Sequence, residues 1–146
     1  MKFLPAGAHL EKRPDGVLIL QSHDPLQPYP ERIGDHLEHW ANATPDAVFL
    51  AQRDGDAWRR LSYSQARDAV RSIATALLKR NLHSGRPVAI LSDNSIEHAL
   101  MTLAAMHVGI PVAPVSPAYS LASNDFGRLR SAFDLTTPGM IFVQDE

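Results

Sequence analysis

The feature that most constrains this chain is the order of five segments in its second half. Pro87-Val88-Ala89-Ile90-Leu91 is an unbroken apolar run of strand length. Such a run suits a strand covered on both faces, as in parallel sheets. A helical pattern follows, with Ile96, Leu100, Leu103, Ala104 and Met106; Asn94 is placed to cap it, Glu97 to occupy its third position and Gly109 to stop it. Residues 110–115 read as a second buried strand. Ser123 or Asn124 can open a further helix carrying Phe126, Leu129, Ala132 and Phe133, which Pro138-Gly139 breaks before the strand Met140-Ile141-Phe142-Val143. Strand–helix–strand–helix–strand predicts an α/β fold: a partial parallel-sheet unit with flanking helices and right-handed crossovers.

The first half supplies smaller pieces. Residues 1–31 read as an extended lead-in, poorly ordered by itself. Within it Pro14-Asp15-Gly16 marks a turn and Val17-Leu18-Ile19-Leu20 a short strand, while Pro25, Pro28 and Pro30 exclude helix and central strand. From Arg32 onward the pattern is compact. Ile33, Leu37, Trp40 and Ala41 recur at helical spacing and Thr44-Pro45-Asp46 ends that helix. Ala47-Val48-Phe49-Leu50-Ala51 reads as a strand, Asp54-Gly55-Asp56 as a hairpin turn, and residues 58–61 as the returning strand. Ser62-Tyr63-Ser64-Gln65 fits a capping box. The helix behind it has Ala66, Ala69, Val70, Ile73, Ala74, Leu77 and Leu78 on one face, and Asn81 and Gly85 are expected in left-handed conformations at its end.

Several function classes are excluded. With no cysteine there is no disulfide, thiolate metal site or cysteine nucleophile. A formal charge of -2 provides no field toward nucleic acid or anionic membrane, and no basic stripe carries interleaved aromatics. The most apolar stretch, residues 99–115, is interrupted by His107, Gly109 and Pro111 and is too short to span a bilayer. The start of the chain has no signal-peptide pattern, so the expected location is the cytoplasm. Glycines stand at 7, 16, 34, 55, 85, 109, 127 and 139, so neither Gly-x-Gly nor Gly-Lys-Ser/Thr occurs and the common phosphate loops are absent. His36 and His39 lie three apart, but without a His-Glu-x-x-His pattern they read as surface histidines. No metal site is expected, and no catalytic residue is assigned.

Two loops hold the candidate ligand-binding residues. Ser92-Asp93-Asn94-Ser95 follows the first buried strand, and Ser116-Pro117-Ala118-Tyr119-Ser120 follows the second. The carboxyl ends of strands are where open α/β sheets bind ligands. Ser92, Asn94, Ser116 and Tyr119 are therefore substrate-binding candidates, Tyr119 as an aromatic wall or hydrogen-bond donor. The plainer account is a helix cap and turn in the first loop, and a tyrosine covering the core in the second.

Taken together these segments resemble a known family. Trp40-Ala41-x-x-x-Pro45-Asp46, Trp58-Arg59-Arg60-Leu61-Ser62-Tyr63, Val88-Ala89-Ile90-Leu91-Ser92-Asp93-Asn94-Ser95 and Gly109-Ile110-Pro111-Val112-Ala113-Pro114-Val115 resemble the N-terminal region of the adenylate-forming superfamily. Ser116-Pro117-Ala118-Tyr119-Ser120-Leu121 and Asp125-Phe126-Gly127-x-Leu129-Arg130, with Arg13-Pro14-Asp15-Gly16, look most like feruloyl-CoA synthetases. The resemblance runs from about residue 13 to the end. It implies an AMP-forming acid–CoA ligase that uses ATP, Mg²⁺ and CoA. It also implies that residues 32–146 are an incomplete α/β subdomain, since the family's phosphate loop, a Ser/Thr/Gly-rich segment followed by Pro-Lys, lies beyond the matched region. Thr136-Thr137-Pro138-Gly139 is only superficially like it, lacking the glycines and the lysine. The chain alone is expected to bind no cofactor and to need the missing C-terminal part of the synthetase as its partner. Two other readings stay open: a non-catalytic interaction module completed by a partner chain, and a small α/β ligand-binding domain.

Overall fold

A computed structural model describes residues 7–144; residues 1–6, the start of the lead-in, and 145–146 lie outside the described residues. Three small sheets and five helices follow in order: β1 (Ala8–Lys12), β2 (Leu18–Ser22), α1 (Ile33–Ala43), β3 (Val48–Asp54), β4 (Ala57–Ser62), α2 (Tyr63–Leu78), β5 (Val88–Leu91), α3 (Ile96–His107), β6 (Val112–Pro114), α4 (Ala118–Leu121), α5 (Gly127–Thr136) and β7 (Met140–Val143). The parallel sheet has the order β6–β5–β7, with Val88 opposite both Val112 and Met140. The apolar run at 88–91 therefore becomes the central strand.

Alternation along the strands divides the sheet into two unlike faces. Val88, Ile90, Val112, Met140 and Phe142 point into a core with Val70, Leu77 and Leu82, formed against α2 and α3. Alanines 66, 74, 104 and 105 are all but fully buried, and their small side chains let α2 and α3 approach closely. On the opposite face Ile141 and Val143 are half exposed. Helix α5 adds nothing there that is buried. The expected pair of fully buried strands is thus corrected: only β5 is enclosed, and β6, as an edge strand, is half-buried.

Local chemistry explains most boundaries. The Ser62 hydroxyl accepts from the Gln65 N–H, and the Gln65 side chain accepts in return from the Ser62 N–H, closing the capping box that starts α2. Asn81 is left-handed as expected; Gly85 is not, and Gly109 is, with φ of 71°. Helix α3 is capped by Ser95 rather than Asn94, because the Ser95 hydroxyl takes the His98 N–H and moves the start one residue on. Helix α5 begins at Gly127, not near Ser123. Phe126 is left-handed at its entry, and Ser123 with Asp125 builds the preceding turn. The Gly127 N–H and then the Ser123 hydroxyl hold the Asp125 carboxyl below its ordinary value. The lead-in contains a hairpin rather than one strand: β1 pairs antiparallel with β2.

Candidate functional site

The carboxyl end of β5 opens into a cavity of about 250 Å³ lined by Leu91, Ser92, Asp93, Pro117, Ser120, Leu121 and Gln144. It lies where β6 and β7 flank the central strand, the expected position for a ligand in such a sheet. Ser92 is buried. Its hydroxyl sits 3.0 Å from His98 Nδ1, which is also 3.3 Å from the Asp93 carbonyl oxygen. A carbonyl can only accept, so the tautomer protonated at Nδ1 satisfies both contacts. In that tautomer Ser92 accepts from His98 and keeps its own proton to donate. Ser120 donates its hydroxyl proton to the Pro117 carbonyl at 3.2 Å, which leaves its oxygen as an acceptor.

The four candidates from the sequence do not converge. Ser92 lines this cavity. Asn94 is exposed and lines a separate hollow between the β3–β4 hairpin and the start of α3, with Gln52, Arg53, Ser95 and Ile96. Ser116 is exposed, and its carbonyl accepts from the Tyr119 N–H in a turn. Tyr119 lies under the Arg128 guanidinium, 5.8 Å from its ring centre, and lines a shallow hollow between α4 and α5. Sequence reasoning includes Ser120 in the second loop without singling it out, and assigns no ligand role to Gln144 or His98. The one available signal is that His98 stands in the first turn of a helix facing the strand end at Ser92.

The start of α3 is not an open anion cradle. The Ile96 N–H donates to Gln52 Oε1 at 2.9 Å and the His98 N–H to Ser95. Arg59 is paired with Glu97. Burial works to raise the Glu97 carboxyl, but the hydrogen bond from Arg59, a backbone hydrogen bond and the Arg59 charge outweigh it and hold the group below its ordinary value of 4.5. A carboxyl depressed by folding binds fewer protons folded than unfolded. Its stabilisation is therefore present above the ordinary value and is lost as pH falls through the folded one. Glu97→Gln should thus cost under about 1 kcal/mol at neutral pH, since both partners are half exposed. The gap between wild type and variant should close as pH falls below 4.5, in urea unfolding followed by tryptophan fluorescence.

Thr136-Thr137-Pro138-Gly139 closes the C-terminal end of α5, where carbonyls rather than N–H groups are presented. The Thr136 hydroxyl is bonded to the Ala132 carbonyl. Among the described residues no three His, Asp or Glu side chains gather as a metal site. His36 and His39 are both exposed. No helix among the described residues is long and apolar enough to cross a membrane.

The parallel unit with its helices is the fold of adenylating ligases. The fatty acid AMP ligase from Legionella pneumophila superposes with a TM-score of 0.68 at 15% identity, over 77% of this chain and 19% of that one. The crystal structure of IdnL1 superposes with a TM-score of 0.67 at 27% identity, over 81% and 23%. Residues 37–144 match the family model described as AMP-binding enzyme, and the chain belongs to that family. Among relatives, tyrocidine synthase 1 of Brevibacillus parabrevis is 29% identical over 72% of this chain and 9% of its own length. The mitochondrial medium-chain acyl-CoA ligase ACSF2 of Bos taurus is 30% identical over 71% and 17%. The chain spans less than a fifth of the curated relatives it matches.

Proposed function

We propose that this chain is the N-terminal part of an AMP-forming acid–CoA ligase acting on an aromatic, feruloyl-like acid. In the complete enzyme the acid's carboxylate attacks the α-phosphorus of ATP and pyrophosphate leaves. The CoA thiol then attacks the acyl carbon and AMP leaves. The observation that carries this reading is the family match over residues 37–144, on a sheet whose second face leaves Ile141 and Val143 half exposed. The aromatic substrate is supported by the segments 116–121 and 125–130, which resemble feruloyl-CoA synthetases. Residues 32–146 act as a scaffold subdomain, in the cytoplasm. The remaining part of the synthetase is the partner that covers Ile141 and Val143 and brings the phosphate loop, with Mg²⁺. The cavity at Ser92 and Ser120 contributes polar contacts to the shared ligand site, and Asn94, Ser116 and Tyr119 border it once that part is in place.

The sequence carries neither Gly-x-Gly nor Gly-Lys-Ser/Thr, and among the described residues the start of α3 is closed by Gln52 and Ser95, so the chain alone does not stabilise the charge at the transferring phosphorus. Incubated with ATP, Mg²⁺ and ferulate, it should release no pyrophosphate above a blank without protein; release above the blank would sink the scaffold reading. Reconstituted with a downstream segment carrying the phosphate loop, it should form the ferulate thioester in preference to a fatty acyl thioester. A fatty acyl preference would overturn the aromatic assignment while leaving the family intact.

A further inference from the structure

The β1–β2 hairpin precedes the residues that match the family, so the shared fold does not require it. It is also poorly covered. Leu10, Leu18 and Leu20 are 58, 60 and 71% exposed, and only Ile19 is partly buried. A lone pair of strands is marginal in water, whereas three or more strands support one another.

The hydrogen-bond phase shows which groups remain free. The Arg13 N–H donates to the Val17 carbonyl and the His23 N–H to the Gly7 carbonyl. Together with the register His9 opposite Gln21 and Glu11 opposite Ile19, this turns the N–H and C=O of Ile19, Gln21 and His23 toward β1. Alternation turns those of Leu18, Leu20 and Ser22 outward, and among the described residues no strand pairs with that edge. The two edges of the hairpin differ in charge. β1 carries His9, Glu11 and Lys12, the kind of blunting that keeps a free edge solitary, and β2 carries no charged side chain.

We infer that β2 is a self-association edge that pairs antiparallel with β2 of a second copy, about a two-fold axis at Leu20. In this register Leu20 faces Leu20, Leu18 faces Ser22 and Ile19 faces Gln21. Every outward N–H of Leu18, Leu20 and Ser22 meets an outward carbonyl. A one-residue slip would set outward groups against inward ones and turn the leucines to the opposite face. The hairpins merge into one four-stranded sheet, β1–β2–β2–β1, past the threshold at which a small sheet holds. The leucine rows of the two copies then lie side by side, and the association is symmetric and closed.

The chain has no cysteine, so single cysteines report the register without background. Leu20→Cys places two thiols on a hydrogen-bonded pair about 5.5 Å apart at Cα, within disulfide reach. Under mild oxidation it should run as a covalent dimer on a non-reducing gel. Leu18→Cys and Gln21→Cys, each facing a different residue, should stay uncrosslinked, and the double variant Leu18→Cys with Ser22→Cys should crosslink again. Leu20→Pro removes an outward N–H and no bond within the hairpin, so sedimentation equilibrium should show self-association weakened by at least about tenfold. Circular dichroism confirms that each variant keeps its helices. A wild-type chain that is monomeric at every concentration would overturn the inference. So would equal crosslinking at positions 18, 20 and 21, or crosslinking of Val143→Cys on the open sheet face in place of Leu20→Cys.

Discussion

Ile90→Ala is expected to destabilise the chain by about 3 kcal/mol, whereas Ile141→Ala, one strand away in the same sheet, should cost about 1 kcal/mol or less. Ile90 is fully buried in the central strand, and its face packs on α2 and α3 with Val70 and Leu77. Truncating it removes buried methylenes and leaves a cavity that helices already in close contact cannot collapse to fill. Ile141 stands opposite Ala89 on the other face and is 48% exposed, so less transfer free energy is at stake. Against a total stability of roughly 5–15 kcal/mol for a small domain, the first loss is large. Urea unfolding followed by the fluorescence of Trp40 and Trp58 measures both. Equal losses at the two positions would mean that the second sheet face is covered in solution, and the asymmetry on which the scaffold reading depends would be gone.

That asymmetry also bears on the proposed function. The side bearing Val88 and Ile90 has its helices, and the side bearing Ile141 and Val143 ends in half-exposed apolar side chains. Parallel sheets are covered on both faces. The cavity at Ser92 and Ser120 sits at the carboxyl end of β5, where Leu91 pairs with the half-exposed Val143, with Leu91 and Leu121 as its apolar walls. A segment laid over the sheet would both bury Ile141 and Val143 and narrow this cavity toward a ligand site.

What the sequence discloses depends on how local the cause is. The capping box at Ser62 and Gln65 involves four consecutive residues, and the unbroken apolar run at 88–91 marks the central strand by itself. Failures occur where distant contacts decide. β1 is half charged and reads as a tail until Leu18–Ser22 pairs with it. Asn94 and Ser95 are both good caps, and the choice falls to Ser95 where the Ile96 N–H finds Gln52 across a separation of 44 residues. Phe126 in a left-handed conformation breaks the expectation for a bulky aromatic, so the helix start is displaced to Gly127. In the site, Ser92 is evident from its place after a strand. It and Gln144 directly follow two different strands and Ser120 lies in α4 beyond a third, and only the parallel register brings the three to one cavity.

Glycine 139 supplies the second large effect. A Cβ built there would lie 2.7 Å from Leu82 Cδ2 and 3.0 Å from Arg86 Cβ. The leucine end can swing away, but the Arg86 Cβ is fixed by its backbone, which bridges to His83 through a 2.8 Å hydrogen bond. The Gly139 N–H in turn donates to the Pro87 carbonyl at 2.9 Å, starting β7 beside β5. Gly139→Ala must therefore push β7 from its neighbour or shift the 83–86 turn, at a cost of about 1–3 kcal/mol. Gly85→Ala is the matched control within the same turn. Its Cβ would meet only the His83 ring at 3.4 Å, and its φ is not in the left-handed region, contrary to the expectation from sequence. That change should be neutral or stabilise by up to about 1 kcal/mol through the unfolded chain. If calorimetry ranks the two the other way, the glycine at 139 is not what lets β7 close against β5.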